Sequence, residues 1–71
     1  MSQSATITAR RSIQHVKAGD RISLDVTYFD TEAHDVREVA SVEVALATVY
    51  IVFTDGTSTA RFKSTLVGLA A

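Results

Sequence analysis

Tyr50-Ile51-Val52-Phe53-Thr54-Asp55-Gly56-Thr57-Ser58-Thr59-Ala60-Arg61-Phe62 places an Asp-Gly pair between two runs rich in β-branched and aromatic residues. Asp-Gly favours a two-residue hairpin loop, because a type I′ turn needs positive φ at both central positions. Such a loop predicts pairs Thr54–Thr57, Phe53–Ser58, Ile51–Ala60 and Val49–Phe62. The pairing gathers Val49, Ile51, Phe53, Ala60 and Phe62 on one face. Tyr50, Val52, Thr59 and Arg61 fall on the other.

Upstream, Gly19-Asp20 gives a turn signal, after which Ile22, Leu24, Val26 and Tyr28 alternate with Arg21, Ser23, Asp25 and Thr27. That period of two predicts a half-buried strand. Residues 30–35 are polar and without periodicity, so they read as a loop. The next segment admits two readings. Asp35-Val36-Arg37-Glu38 has the form of a helix cap, with Val39, Val42, Leu46 and Val49 near one helical face. Ala40, Val42, Val44 and Leu46 also alternate with Ser41, Glu43, Ala45 and Ala47, and valines suit a pleated surface better than a helix. The strand reading is preferred, and an α+β fold with a helix over 35–47 is the alternative.

Ala5 to Arg10 adds a further strand, with residues 1–12 an arm or an edge strand, and Leu66 to Leu69 forms a short closing strand. Seventy-one residues suffice for a single small β domain spanning 1–71. Short strands protect their edges by curling. The expected fold is therefore all-β, a five- to six-stranded antiparallel barrel or strongly curled sheet.

Val16-Lys17-Ala18-Gly19-Asp20-Arg21-Ile22 resembles the opening of SH3-like barrels of the KOW and Tudor kind, in which a Gly-Asp turn leads into the first long strand. The Phe53-Thr54-Asp55-Gly56-Thr57 hairpin, the Lys63-Ser64-Thr65 turn and a short last strand follow in a similar order. The resemblance implies a small binding barrel. Tudor domains use an aromatic cage; this chain has no Trp and only Tyr28, Phe29, Tyr50, Phe53 and Phe62 to build one. KOW domains are usually more basic, and no binding residue carries over.

Composition narrows the function classes. There is no cysteine, which excludes disulfides and thiolate metal sites and suits a reducing, cytoplasmic setting. The formal charge is -1, so the chain as a whole is not basic. Residues 1–29 net +2, 30–47 net -4 and 48–71 net +1. The sequence has no leader-like start, and Val44 to Phe53 falls short of the roughly 20 apolar residues that span a bilayer, so no membrane role is expected.

His15 and His34 are the only histidines, and His34 beside Asp30, Glu32 and Asp35 reads as a solvated loop rather than a metal site. No Gly-x-Ser-x-Gly elbow and no phosphate-cradling glycine loop occurs, so neither enzyme activity nor a cofactor is expected.

Two binding readings remain. Arg10, Arg11, Lys17 and Arg21, together with Tyr28 or Phe29, would make a nucleic-acid surface if they formed one face. The preferred reading starts from Val49 to Phe53, which is apolar on both faces and therefore asks for cover on both. Tyr50, Val52 and Val39 are the expected protein interface. The expected function is a non-catalytic interaction module that binds a protein partner or itself as a homodimer. Its size suits a bacterial or phage accessory protein modulating a host factor.

Overall fold

The computed structural model describes residues 3–70. It contains six strands: β1 Gln3–Ser12, β2 Arg21–Ser23, β3 Glu32–Val44, β4 Thr48–Phe53, β5 Ser58–Phe62 and β6 Leu66–Ala70. All neighbours are antiparallel, in the order β1-β6-β2-β3-β4-β5. An additional β1–β3 pairing joins β1, β6, β2 and β3 into a ring, from which the β4–β5 hairpin extends. The all-β expectation holds. Among the described residues the only helical element is a 3-10 turn, Ile13–His15, so no helix is long and apolar enough to cross a membrane.

The ambiguous segment is a strand. β3 begins at Glu32, inside what the sequence suggests is a loop, and runs for 13 residues. Its buried residues are Ala33, Val36 and Val39, three apart rather than two. A bulge explains the first interval, and the second arises because Val36 and Val39 face opposite sides. Between Ala33 and Val36, β3 spends one residue more than its partner β1, and Ala40 is an extra residue against β4. Each extra residue reverses which face the following side chains take. Of Ala40, Val42, Val44 and Leu46, expected to alternate, only Val42 packs against the core: Ala40 is the bulge residue, Val44 is the exposed end of β3 and Leu46 lies beyond it.

β1 carries a third irregularity between Ile7 and Ala9, where Thr8 is the extra residue against β6. The bend lets residues 3–6 pair with β3 while residues 7–12 pair with β6. Residues 3–12 thus close the ring, and the first two residues of the arm or edge strand expected over 1–12 lie outside the described residues. Ile7 holds the crossing point: its amide donates to the Thr31 carbonyl (2.9 Å), and its own carbonyl accepts from the Asp30 amide (3.0 Å).

Two apolar clusters result. The larger contains Ile13, Val16, Ile22, Val39, Val49, Ile51, Phe53 and Val67; the smaller contains Ile7, Ala33 and Val36. Val36 and Val39 sit in different clusters, on opposite sides of β3. The 3-10 turn brings Ile13 onto the larger cluster and is tied to the β5–β6 turn by the Ile13 amide and Thr65 carbonyl (2.9 Å).

The Gly19-Asp20 turn is present. Gly19 has φ +94, and Asp20 donates its amide to the Lys17 carbonyl (3.1 Å), the geometry of a type II turn with glycine at its third position. The long strand expected after it is not. β2 ends at Ser23, whose hydroxyl donates to Asp35 Oδ1 (2.6 Å) and accepts the Val26 amide (3.0 Å). That local bond competes with the ladder and turns the chain away. Tyr28, expected on the buried side, is 71% exposed.

The hairpin also differs in register. The observed pairs are Val52–Ser58, Ile51–Thr59, Tyr50–Ala60, Val49–Arg61 and Thr48–Phe62, one residue from the expected set. The Gly56 amide donates to the Phe53 carbonyl (3.0 Å) and the Phe53 amide to the Thr57 carbonyl (2.8 Å). Gly56 has φ +89, while Asp55 is not in the left-handed region. This is a three-residue loop of a type I turn followed by a left-handed glycine, which Asp-Gly also satisfies. The slip moves Phe62 from the core face to the outer face.

Candidate interaction surface

β4 reads inward and outward in strict alternation: Val49, Ile51 and Phe53 are buried, and Tyr50 and Val52 are exposed. Directly opposite residues of antiparallel strands share a face. The outer face of the β3–β4–β5 sheet therefore carries the rows Ser41–Val52–Ser58, Glu43–Tyr50–Ala60 and Thr48–Phe62. Tyr50 is 46%, Val52 42% and Phe62 72% exposed. A shallow groove of about 320 Å³, lined by Thr48, Ala60, Arg61, Phe62 and Thr65, lies at the Phe62 end.

Of the three expected interface residues, Tyr50 and Val52 lie on this outer face. Val39 does not. It is buried opposite Phe53 on the core side, because the Ala40 bulge sets its orientation. Phe62 and Ala60 belong to the outer face, although the expected register places both inside. Neither Ile7 nor Ile13 covers Tyr50 or Val52, since each packs within a core cluster.

The four basic residues do not converge on one face. Arg10 and Arg11 are consecutive in a regular part of β1 and so point to opposite sides. The Arg10 guanidinium lies over the Phe29 ring at 5.1 Å from its centre, while Arg11 Nη1 reaches Asp20 Oδ2 at 3.3 Å. Lys17 is exposed in the type II turn, its backbone amide bound to the same carboxylate (3.0 Å). Arg21 stands across from Glu38 on β3.

Other polar groups serve local structure. His34 shares a hydrogen bond with Ser4 Oγ (2.9 Å) and lies 3.4 Å from a Glu32 oxygen. Among the described residues, no three metal-ligating side chains gather in one place. Ser23 is buried and its hydroxyl engaged by Asp35 and Val26, a pairing that holds the end of β2.

Asp55 organises the hairpin loop. The Thr57 hydroxyl (2.6 Å) and amide (2.9 Å) both donate to its Oδ1. Those bonds favour the charged carboxylate and hold it well below the usual carboxylate range. A depressed folded pKa contributes stability that is present above the unfolded value of about 3.9 and is lost as pH falls towards the folded value. The hairpin is therefore expected to loosen in acid below about pH 4. Thermal melts between pH 5 and pH 2 check this: Asp55→Asn should flatten the dependence, and an unchanged slope would remove Asp55 from the account.

Comparison with known proteins gives no match to a family model, a curated protein or a solved structure.

Proposed function

We propose that this protein is a non-catalytic interaction module, a small SH3-like β-barrel that binds another protein or a second copy of itself through the outer face of β3–β4–β5. The observation that carries the reading is the row-by-row adjacency of Tyr50, Val52 and Phe62 on that face, exposed and without charge among them. Contiguous exposed apolar side chains mark interaction sites, and aromatic residues supply much of the energy at such sites. Glu43, opposite Tyr50 on β3, and Ser41 and Ser58, flanking Val52, give the face a polar margin.

The test combines mass by light scattering with capture of partners from a nuclease-treated bacterial lysate. Wild type should either exceed the monomer mass or retain a protein partner. Tyr50→Lys and Phe62→Lys should abolish whichever is seen, with stability changed by no more than about 0.5 kcal/mol, as for surface substitutions in general. A monomer whose captured proteins are the same in both variants would defeat the proposal. The nucleic-acid alternative makes a different forecast: capture lost on nuclease treatment and binding that weakens steeply with salt. The separate positions of Arg10, Arg11 and Arg21 give it less support.

A further inference from the structure

Among the described residues, β5 has β4 on one side and no strand on the other. Its hydrogen-bond phase follows from the loop. The Phe53 amide bonds to the Thr57 carbonyl, and the Lys63 amide to the Ala47 carbonyl, so Thr59 and Arg61 turn their backbone groups towards β4. Ser58, Ala60 and Phe62 direct theirs to the open edge. Proteins usually blunt such an edge with lysine, proline, a bulge or an inward-pointing charge. Ser58–Phe62 has no lysine, proline or bulge, and its one guard is Arg61, on the core-side face opposite Val49.

We infer that this edge is a self-pairing edge: β5 docks antiparallel on β5 of a second copy, with the two-fold axis at Ala60. The inference rests on the interaction-module reading and names its partner and seam. Self-complementarity selects the occupant. With Ala60 on the axis, Thr59 meets Arg61 of the second copy and Ser58 meets its Phe62, so every row pairs a large side chain with a small one or sets two alanines together. A slip that places Arg61 on the axis sets two like charges opposite each other. A slip of one residue turns the apolar outer face of one copy against the core-side face of the other.

The same register is complementary beyond the strand. Phe62 lies across Ser58 of the second copy, whose β4 neighbour is Val52, so the phenyl ring can lean over the small serine onto that valine. At each end, the Lys63–Thr65 turn of one copy comes alongside the Thr54–Gly56 tip of the other, which sets Lys63 beside an Asp55 carboxylate. The groove bounded by Phe62 and Thr65 lies where that tip arrives. Two equivalent contacts form, as an isologous dimer requires. The Ala60 carbonyl now accepts Arg61 Nη1 (3.0 Å), and its second lone pair is available to the incoming amide.

The absence of cysteine makes the seam directly testable. Opposed residues in a hydrogen-bonded antiparallel pair have Cα atoms about 5.5 Å apart, within disulfide range. Ala60→Cys should therefore form an interchain disulfide under mild oxidation at least tenfold faster than Gln14→Cys, which sits on the exposed 3-10 turn. Ala60→Pro removes an outward amide without touching the β4 ladder, and should convert a wild-type dimer to monomer in sedimentation equilibrium with its far-UV circular dichroism unchanged. Equal rates for the two cysteine variants, or a dimer that survives Ala60→Pro, would overturn the inference. If that surviving dimer is lost in Tyr50→Lys, the edge is wrong and the outer-face reading stands. If it survives both substitutions, both readings fall.

Discussion

Gly68→Ala should destabilise the protein by about 3 kcal/mol, at the upper end for overpacking a tight interior. Gly68 is buried in β6, between Arg10 on β1 and Ser23 on β2. A methyl group there would run into the carbonyl oxygen of Val26 and press on Cγ2 and Cδ1 of Ile7. The decisive neighbour is backbone, and it is not free to move. Ser23 Oγ holds the Val26 amide at 3.0 Å and is itself fixed to Asp35 at 2.6 Å. Relief would require breaking that pair or shifting Ile7, whose amide and carbonyl close the ring at Thr31 and Asp30.

Gly19→Ala is the informative contrast. Nothing lies within 4 Å of a Cβ there, but φ is +94, so the penalty is conformational and should be about 1 kcal/mol. Urea melts of both variants check the order. If Gly68→Ala is the milder of the two, the Val26 carbonyl does not lie over Gly68.

The fold class was legible because its strongest signals are local. β4 alternates without interruption, so Val49, Ile51 and Phe53 inside and Tyr50 and Val52 outside can be read from the sequence whatever β5 does. The identity of their partners could not. Asp-Gly fits a two-residue loop and a three-residue loop equally well, and the two differ by one residue in register. That single residue decides whether Phe62 belongs to the core or to the surface. The outer face was therefore only two-thirds visible in the sequence, with its most exposed aromatic assigned to the wrong side.

β3 failed for a related reason. Period-two reasoning assumes an unbroken pleat with one buried face, whereas β3 has bulges between Ala33 and Val36 and at Ala40 and buries Val36 and Val39 on opposite sides. Val39, expected at the interface, lies in the core instead. The dispersal of the arginines, by contrast, was readable in part: Arg10 and Arg11 are adjacent, and adjacent strand residues face opposite ways. Their separate partners, Phe29 and Asp20, depend on loops whose paths no local pattern records.

The pair Phe53→Ala and Phe62→Ala turns that register difference into a measurement. Phe53 is 2% exposed and packs in the larger cluster opposite Val39. Its ring also carries the Arg37 guanidinium 5.5 Å from its centre. Arg37 Nε is buried without a hydrogen bond, 3.9 Å from Asp55 Oδ2, so the ring face is a main neighbour of that charge. Truncation to alanine removes a buried phenyl group, worth about 3–5 kcal/mol, and the ring–cation contact, worth about 0.5–2 kcal/mol. A 71-residue chain is typically stable by about 4–11 kcal/mol, so Phe53→Ala should remove a large share of the stability at 25 °C. Phe62 is 72% exposed, opposite Thr48, and its truncation should shift stability by no more than about 0.5 kcal/mol. Under a two-residue loop, Phe62 would face the core opposite Val49, and both variants would be severely destabilised. Denaturant midpoints for the two decide between the registers, and comparable losses would return Phe62 to the core and remove it from the interaction face.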